Sequence, residues 1–182
     1  MTYIDNEEFE VLAKDILEDN RFQLLKKDRH HGTNKYDHCK RVGYVSYKLA
    51  KFFNCDYKKV VRPALLHDFF YGERTEKPEN DYLAHPLTSA INAKECFNVT
   101  KDEQDIIKTH MFHFACIKKI CPFINGFKNK VSLKENKPKS KEAWIVCASD
   151  LIVSIEEFRK YRFNYSVAVL MMFFINFISV NK

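Results

Sequence analysis

The dipeptide His67-Asp68 is the feature of this sequence that points most directly to chemistry. It follows the apolar run Ala64-Leu65-Leu66, so both of its ionisable side chains are expected to be buried. Burying such groups is unfavourable unless a partner compensates for the lost water. A divalent metal ion suits an imidazole and a carboxylate equally well. The dipeptide therefore predicts part of a metal site, provided that the chain supplies further ligands.

Four other residues have the type and position expected of further ligands, because each lies on an apolar helix stripe or near a helix end. They are His38, His85, His110 and Asp150. A single buried histidine is more often a satisfied core residue than a ligand. Together with the dipeptide, however, these residues come from at least four predicted helices. Imidazoles and carboxylates that converge in a core without a cation would be unstable, so the set predicts a buried metal site.

Amphipathic helices are predicted to position these residues. Hydrophobic periodicity and capping residues predict helices over residues 6–18, 34–53, 57–67, 86–97, 101–111 and 140–161. Pro63 is expected to kink the third helix or to shift its start. Thr100 and Glu103 form a predicted capping box. Residues 26–33 and 71–83 are predicted to be connections because they are polar and carry no helical periodicity.

The composition agrees with a helical domain. The chain has 182 residues, enough for one domain, and it contains only four glycines and five prolines. Hydrophobic residues make up 46% and charged residues 30%, as expected of a folded protein. None of the six cysteines forms a CxxC pair and the N-terminus is acidic, without a signal peptide. We expect reduced thiols and a cytoplasmic location.

Two segments allow more than one interpretation. Six lysines and only one acidic residue lie between Lys128 and Lys141. This segment is either a solvated loop or a basic rim that attracts a phosphate-bearing ligand. It lacks the interleaved aromatic residues of a nucleic-acid groove.

Residues 163–181 carry no charge, so their length permits a membrane span. Their asparagines and serines favour a helix that packs on the core or in a dimer interface instead.

The motifs around these residues resemble the HD-domain superfamily of metal-dependent phosphohydrolases. The resemblance covers roughly residues 34–158 and rests on five pieces in order: Tyr36–Val42, Arg62–Asp68, Ala84–Pro86, His110 and Asp150. It implies an all-α bundle with a central metal site. Together with the predicted helices, it gives an organisation with an N-terminal helix and connection at 1–33 that pack on the core, the HD domain at 34–161, and an apolar helix at 162–182. That last helix would be part of the same domain or of an interface.

The resemblance also implies the ligands. Four residues match those of the mononuclear HD site: His38, His67, Asp68 and Asp150. The two others, His85 and His110, match histidines of members with a second metal ion, in which the motif aspartate bridges both ions. Asp68 would be that bridge here. Neutral imidazoles favour Fe, Mn, Co, Ni or Zn over Mg or Ca.

The implied activity is hydrolysis of a nucleotide or another phosphate ester or anhydride by a hydroxide that two metal ions hold. The full ligand set is similar to that of di-iron dinucleoside-tetraphosphate hydrolases. Tyr71 replaces a lysine of some phosphodiesterase members, so cyclic dinucleotides are disfavoured. Asp68 and Glu73 are the predicted catalytic residues, with Glu73 as general acid although its spacing departs from the family pattern. Predicted substrate contacts are Lys40, Arg41 and His113.

Three alternatives remain open. A mononuclear nucleotidase would use His85 and His110 to bind phosphate instead of a second metal ion. A non-catalytic HD module would bind a nucleotide without turning it over. Some di-iron HD proteins are oxygenases with an overlapping ligand set. The expected partner is a phosphate-bearing small molecule, with no stable nucleic-acid complex and with a possible homodimer.

Overall fold

The computed structural model describes residues 7–30, 32–71, 84–120 and 133–180. Its described residues form nine α-helices, and the predicted all-α class is confirmed. The helices are α1 (Glu7–Leu17), α2 (Asn20–Gln23), α3 (Lys35–Phe52), α4 (Tyr57–Leu66), α5 (His85–Phe97), α6 (Lys101–Thr109), α7 (Phe112–Ile120), α8 (Leu133–Asn136) and α9 (Lys141–Val180). A 3₁₀ turn (Leu24–Lys27) and a small antiparallel hairpin, β1 (Arg29–His30) with β2 (Thr33–Asn34), precede α3.

Side-chain caps determine where the helices around the site begin. The Asn34 side chain accepts a hydrogen bond from the Asp37 amide at 2.8 Å, and α3 starts directly after it. Asp56 caps α4 in the same way, and the helix continues through Pro63 with no shift of its start. A reciprocal capping box opens α6, as predicted. Each cap satisfies amides that the first helical turn leaves without intrahelical partners.

Two helix ends differ from the prediction. The helix predicted to continue through Met111 ends at Thr109, and α7 starts at Phe112. The helix predicted to end near Tyr161 continues to Val180. The charged sequence gives way to apolar sequence near residue 163, which suggested a boundary. No glycine or proline interrupts the helix there, so the backbone continues without a break.

In the apolar tail, the side chains beyond Phe163 lie outside the described residues. Whether it packs on the core or on a partner therefore stays a prediction. Among the described residues, no helix combines the length and the apolarity that are needed to cross a membrane.

Helix α3 lies between two apolar clusters. The first joins it to α1, α4 and α5 and contains the fully buried side chains of Phe9, Tyr47 and Leu65. The second, which includes Val42 and Val146, joins α3 to α4 and α9. The two clusters hold α4 and α9 against α3, and these three helices carry most of the candidate site.

Gly43 permits the close approach of α3 to α4. A Cβ atom at this position would lie 2.8 Å from Leu65 Cδ2 and 3.0 Å from its Cγ. Leu65 is fully buried in the first cluster, so its side chain has no free space into which it could turn. The missing side chain thus brings the start of α3, with His38, close to the end of α4, with His67.

We expect Gly43→Ala to destabilise the protein. Alanine favours a helix over glycine by about 1 kcal/mol, but overpacking a core typically costs about 1–3 kcal/mol. The net loss should be about 1 kcal/mol, measured by equilibrium urea unfolding. Ser46→Ala, one turn along the same helix, adds no volume and should leave stability unchanged or higher. A Gly43→Ala variant as stable as wild type would contradict the packing argument.

A carboxylate on α1 connects three helices. Glu8 accepts hydrogen bonds from the Tyr47 hydroxyl and from Lys51 Nζ at 2.7 Å on α3, and from the Tyr57 hydroxyl at 2.8 Å on α4. These donors, with Lys51 the strongest, lower the pKa of Glu8 to about 2. They stabilise the ionised form, so α1 is attached most firmly to the core when Glu8 is charged.

We expect the stabilisation from Glu8 to disappear in acid. A carboxyl group whose pKa falls on folding adds stability above its unfolded pKa, and this is lost as pH falls toward the folded value. Glu8→Gln should therefore be less stable than wild type at pH 7, and the difference should shrink between about pH 4.5 and pH 2. Urea midpoints across this range test it, with Glu7→Gln as the control. A gap that does not change with pH would refute the assignment.

Candidate metal centre

Five helices deliver the six predicted ligands to one buried region. His38 lies in the first turn of α3, His67 and Asp68 follow the last residue of α4, and His85 is the first residue of α5. The two others are His110, directly after α6, and Asp150, on α9. All six residues are at most 5% exposed.

The distances divide these side chains around their two carboxylates. Asp150 Oδ1 lies 3.3 Å from His38 Nε2 and 3.7 Å from His67 Nε2. Asp68 Oδ1 lies 3.0 Å from His85 Nε2 and 3.6 Å from His110 Nε2. The Nε2 atoms of those last two histidines are themselves 3.0 Å apart.

Three groups of these residues have ligand atoms within 4.8 Å of one another. They are His38–His67–Asp68, His67–His110–Asp150 and Asp68–His85–His110. The groups together contain all six predicted ligands, so the structure brings the whole set together. Three residues, Asp68, His67 and His110, each belong to two of these groups. Asp68 is the carboxylate among them, and its two oxygens allow it to be shared by two ions.

Two of the histidines are oriented by the helices that they terminate. His67 Nδ1 donates to the Ala64 carbonyl, and His110 Nδ1 donates to the Ile107 carbonyl, both at 2.7 Å. In each case the acceptor is the carbonyl three residues earlier, near the end of the helix. The Ile107 carbonyl also accepts a long hydrogen bond from the His110 amide at 3.4 Å, since a carbonyl oxygen has two lone pairs. Since a carbonyl only accepts, Nδ1 carries the proton, and a neutral ring keeps its lone pair on Nε2.

The buried Nε2 atom of His67 shows that this donor set fits a metal ion. Among the described residues it has no hydrogen-bond partner. Burial lowers the pKa of His67 to about 4, so the ring is neutral near pH 7 and its lone pair is available. A buried polar atom without a partner is unfavourable, and a metal ion would satisfy it.

The carboxylates act in the opposite direction on His38. Burial lowers its pKa, but hydrogen bonds to Asp150 and Glu157 outweigh burial and raise it to about 9. Burial raises the pKa of Asp150, whereas His38 and the nearby histidines hold it well below its usual range. This pair keeps a proton at the point where a metal ion would supply positive charge instead.

Glu157 is the one member of this arrangement that the sequence interpretation missed. It lies on α9 with only 4% of its surface exposed, and its Oε2 is 2.9 Å from His38 Nδ1. It follows Asp150 by seven residues, which is two helical turns and therefore the same face. That spacing is the signal that could have identified it.

Two of the predicted substrate contacts, Lys40 and Arg41, form ion pairs with glutamates that are not among the six ligands. Arg41 forms ion pairs with Glu156 and Glu157 at 2.8 Å. Lys40 Nζ pairs with Glu10 of α1 at 2.8 Å. Neither contact involves the six ligands, so their roles toward a substrate stay predictions. Glu73 lies outside the described residues.

His113 lies close to the cluster. The His113 ring is partly buried, which lowers its pKa, and its Nδ1 is 3.6 Å from Cys147 Sγ. Whether it contacts a substrate stays a prediction.

In the basic segment, residues 128–132 lie outside the described residues, and four exposed lysines follow. They are Lys134, Lys137, Lys139 and Lys141.

Comparison with known protein families agrees with the geometry. The family model of the HD domain matches residues 36–153, more than half of the chain and a range that includes all six clustered side chains. The chain therefore belongs to the HD-domain family, within the superfamily of metal-dependent phosphohydrolases. No curated protein and no solved structure gives a significant match.

We expect excess Co²⁺ to stabilise the chelator-treated protein. A ligand that binds only the folded state at 100 times its Kd adds about 2.7 kcal/mol to the free energy of unfolding. Asp150→Asn should lose most of this gain because it removes a charge shared by His38 and His67. Asp102→Asn, exposed on α6, should keep it. Urea midpoints with and without Co²⁺ measure the effect, and a wild-type midpoint that Co²⁺ does not change would argue against a metal site.

Proposed function

We propose that this protein hydrolyses a phosphate ester or anhydride, with a nucleotide as the favoured substrate class, by means of two divalent metal ions. The observation that carries the proposal is the position of Asp68, a carboxylate that belongs to a ligand group with His38 and His67 and to another with His85 and His110. His67 and His110 also belong to two groups, but a neutral imidazole has one lone pair, whereas a carboxylate has two oxygens. One shared carboxylate reduces the repulsion between two neighbouring cations.

The residues divide between the two ions. His38, His67, Asp68 and Asp150 would hold one ion, and Asp68, His85 and His110 the other. The imidazole-rich set favours Fe, Mn, Co, Ni or Zn. Such ions, when bound, supply a water of lowered pKa and polarise a phosphoryl oxygen.

The protein's own contribution is to position the ligands and to exclude water. The Ala64 and Ile107 carbonyls aim His67 and His110 into the site, and the Ser154 hydroxyl donates to Asp150 Oδ1 at 3.2 Å. The burial of all six ligands lowers the local dielectric response, so charges inside the site interact strongly. Two carboxylates do not neutralise two divalent ions. The remaining positive charge complements a polyanionic phosphate substrate.

A mononuclear nucleotidase is the second candidate. The 3.0 Å separation of His85 Nε2 and His110 Nε2 favours it, because two imidazoles this close could both donate to one phosphate oxygen once each Nε2 carries a proton. Metal stoichiometry separates the candidates, since two ions per chain support the first and one ion supports the second. A nucleotide that binds without turnover would point to a non-catalytic module instead.

The deciding experiment is metal analysis of anaerobically purified protein, followed by a phosphohydrolase screen with the metal that is found. The panel should contain nucleoside mono- and triphosphates, dinucleoside polyphosphates and guanosine tetraphosphate. Release of inorganic phosphate or of a nucleotide product is the readout. Absence of turnover across the panel, with two ions bound, would contradict the proposed activity.

We expect Asp68→Asn to lose metal and activity together. Even residues that only support ligands typically contribute about 10- to 100-fold to metal affinity or activity, so a shared ligand should contribute more than about 100-fold. Metal content and initial rates are measured on the same preparation, with Asp102→Asn as the control. A variant that lacks metal and keeps full activity would refute the two-metal scheme.

A further inference from the structure

A second layer of charged residues lies behind His38. Glu157 accepts a hydrogen bond from His38 Nδ1 at 2.9 Å through Oε2, and one from Arg41 at 2.8 Å through Oε1. Arg41 lies on α3, three residues after His38, and its other terminal nitrogen pairs with Glu156 at 2.8 Å. The group therefore connects α3 to α9 without using any of the six ligand atoms.

The two glutamates that pair with Arg41 differ in burial. The Glu157 side chain is 3% exposed, whereas the Glu156 side chain is 66% exposed. A buried carboxylate is stable only when its oxygens are paired, and here each oxygen has its own donor on α3. An exposed ion pair such as Arg41–Glu156 contributes little. The two neighbouring glutamates thus share one arginine, but only Glu157 reaches a ligand.

The hydrogen bond to Nδ1 determines what the other ring nitrogen can do. It holds the proton on Nδ1 and turns Nε2 toward Asp150, which lies 3.3 Å away. His67 and His110 obtain the same orientation from backbone carbonyls, which every sequence supplies. His38 obtains it from a side chain, so a substitution can remove it.

We propose that Glu157, held in place by Arg41, is a positioning residue that orients His38 and strengthens metal binding at the centre. The inference rests on the metal site of the proposed function but requires no hydrolytic activity. It also gives Arg41 a role in supporting the site, separate from the substrate contact predicted from the sequence.

The test compares two substitutions one residue apart. Glu157→Gln keeps the size of the side chain but removes its charge, and it should weaken Co²⁺ binding by about 10- to 100-fold. Glu156→Gln removes a charge from the same arginine and should stay within about twofold of wild type, because exposed pairs contribute little. Absorption titration with Co²⁺ gives the affinities. Circular dichroism and urea unfolding of the metal-free proteins show whether both variants fold.

Two further variants distinguish positioning from general stability. The Arg41 side chain is partly exposed. Arg41→Gln should also weaken Co²⁺ binding, but less than Glu157→Gln does. In a His38→Ala background, Glu157→Gln should cause almost no further loss, because residues that act through one another are not additive. Equal affinities of wild type and Glu157→Gln, or fully additive losses, would overturn the inference. A wild type that binds no Co²⁺ overturns both proposals, whereas binding without turnover overturns only the proposed function.

Discussion

Six ionisable side chains are removed from water around one point, and the rest of the structure depends on compensating for this burial. Desolvation alone would drive the histidines toward the neutral form and the aspartates toward the protonated form. His67 follows this expectation, with a pKa lowered to about 4, whereas His38 and Asp150 stabilise one another in charged forms. A cation at this point would bind the histidine nitrogens and the aspartate oxygens together, so the arrangement fits a metal centre.

The helix ends provide much of this compensation. His67 and His110 each follow a helix and each donate Nδ1 to the carbonyl three residues earlier. Carbonyls in the last turn of a helix have acceptor capacity to spare, so the ends of α4 and α6 each orient a ligand through a backbone group. Helix α6 ends at Thr109, and the Ile107 carbonyl accepts hydrogen bonds from both the amide and the ring Nδ1 of His110.

The third oriented histidine depends on packing between distant parts of the chain. His38 and Glu157 are separated by 119 residues, and they meet because α3 packs against α9. Gly43 allows α3 to approach α4, and the second apolar cluster packs α9 against both of these helices. The geometry of the metal site therefore depends on the apolar packing. A displacement of α4 or α9 relative to α3 would separate ligand atoms that lie between 3.0 and 3.7 Å apart.

The sequence by itself determined the local features and the chemistry. The caps at Asn34, Asp56 and Thr100 act within a few residues, and the six ligand types identify an HD-domain site because their order along the chain is visible directly. Tertiary structure decided which ligand atoms face each other, that Asp68 lies between two groups, and that Glu157 supports His38. It also decided that Arg41 faces two carboxylates. These contacts depend on how helices dock, and docking is set by packing over the whole core, which no local pattern records.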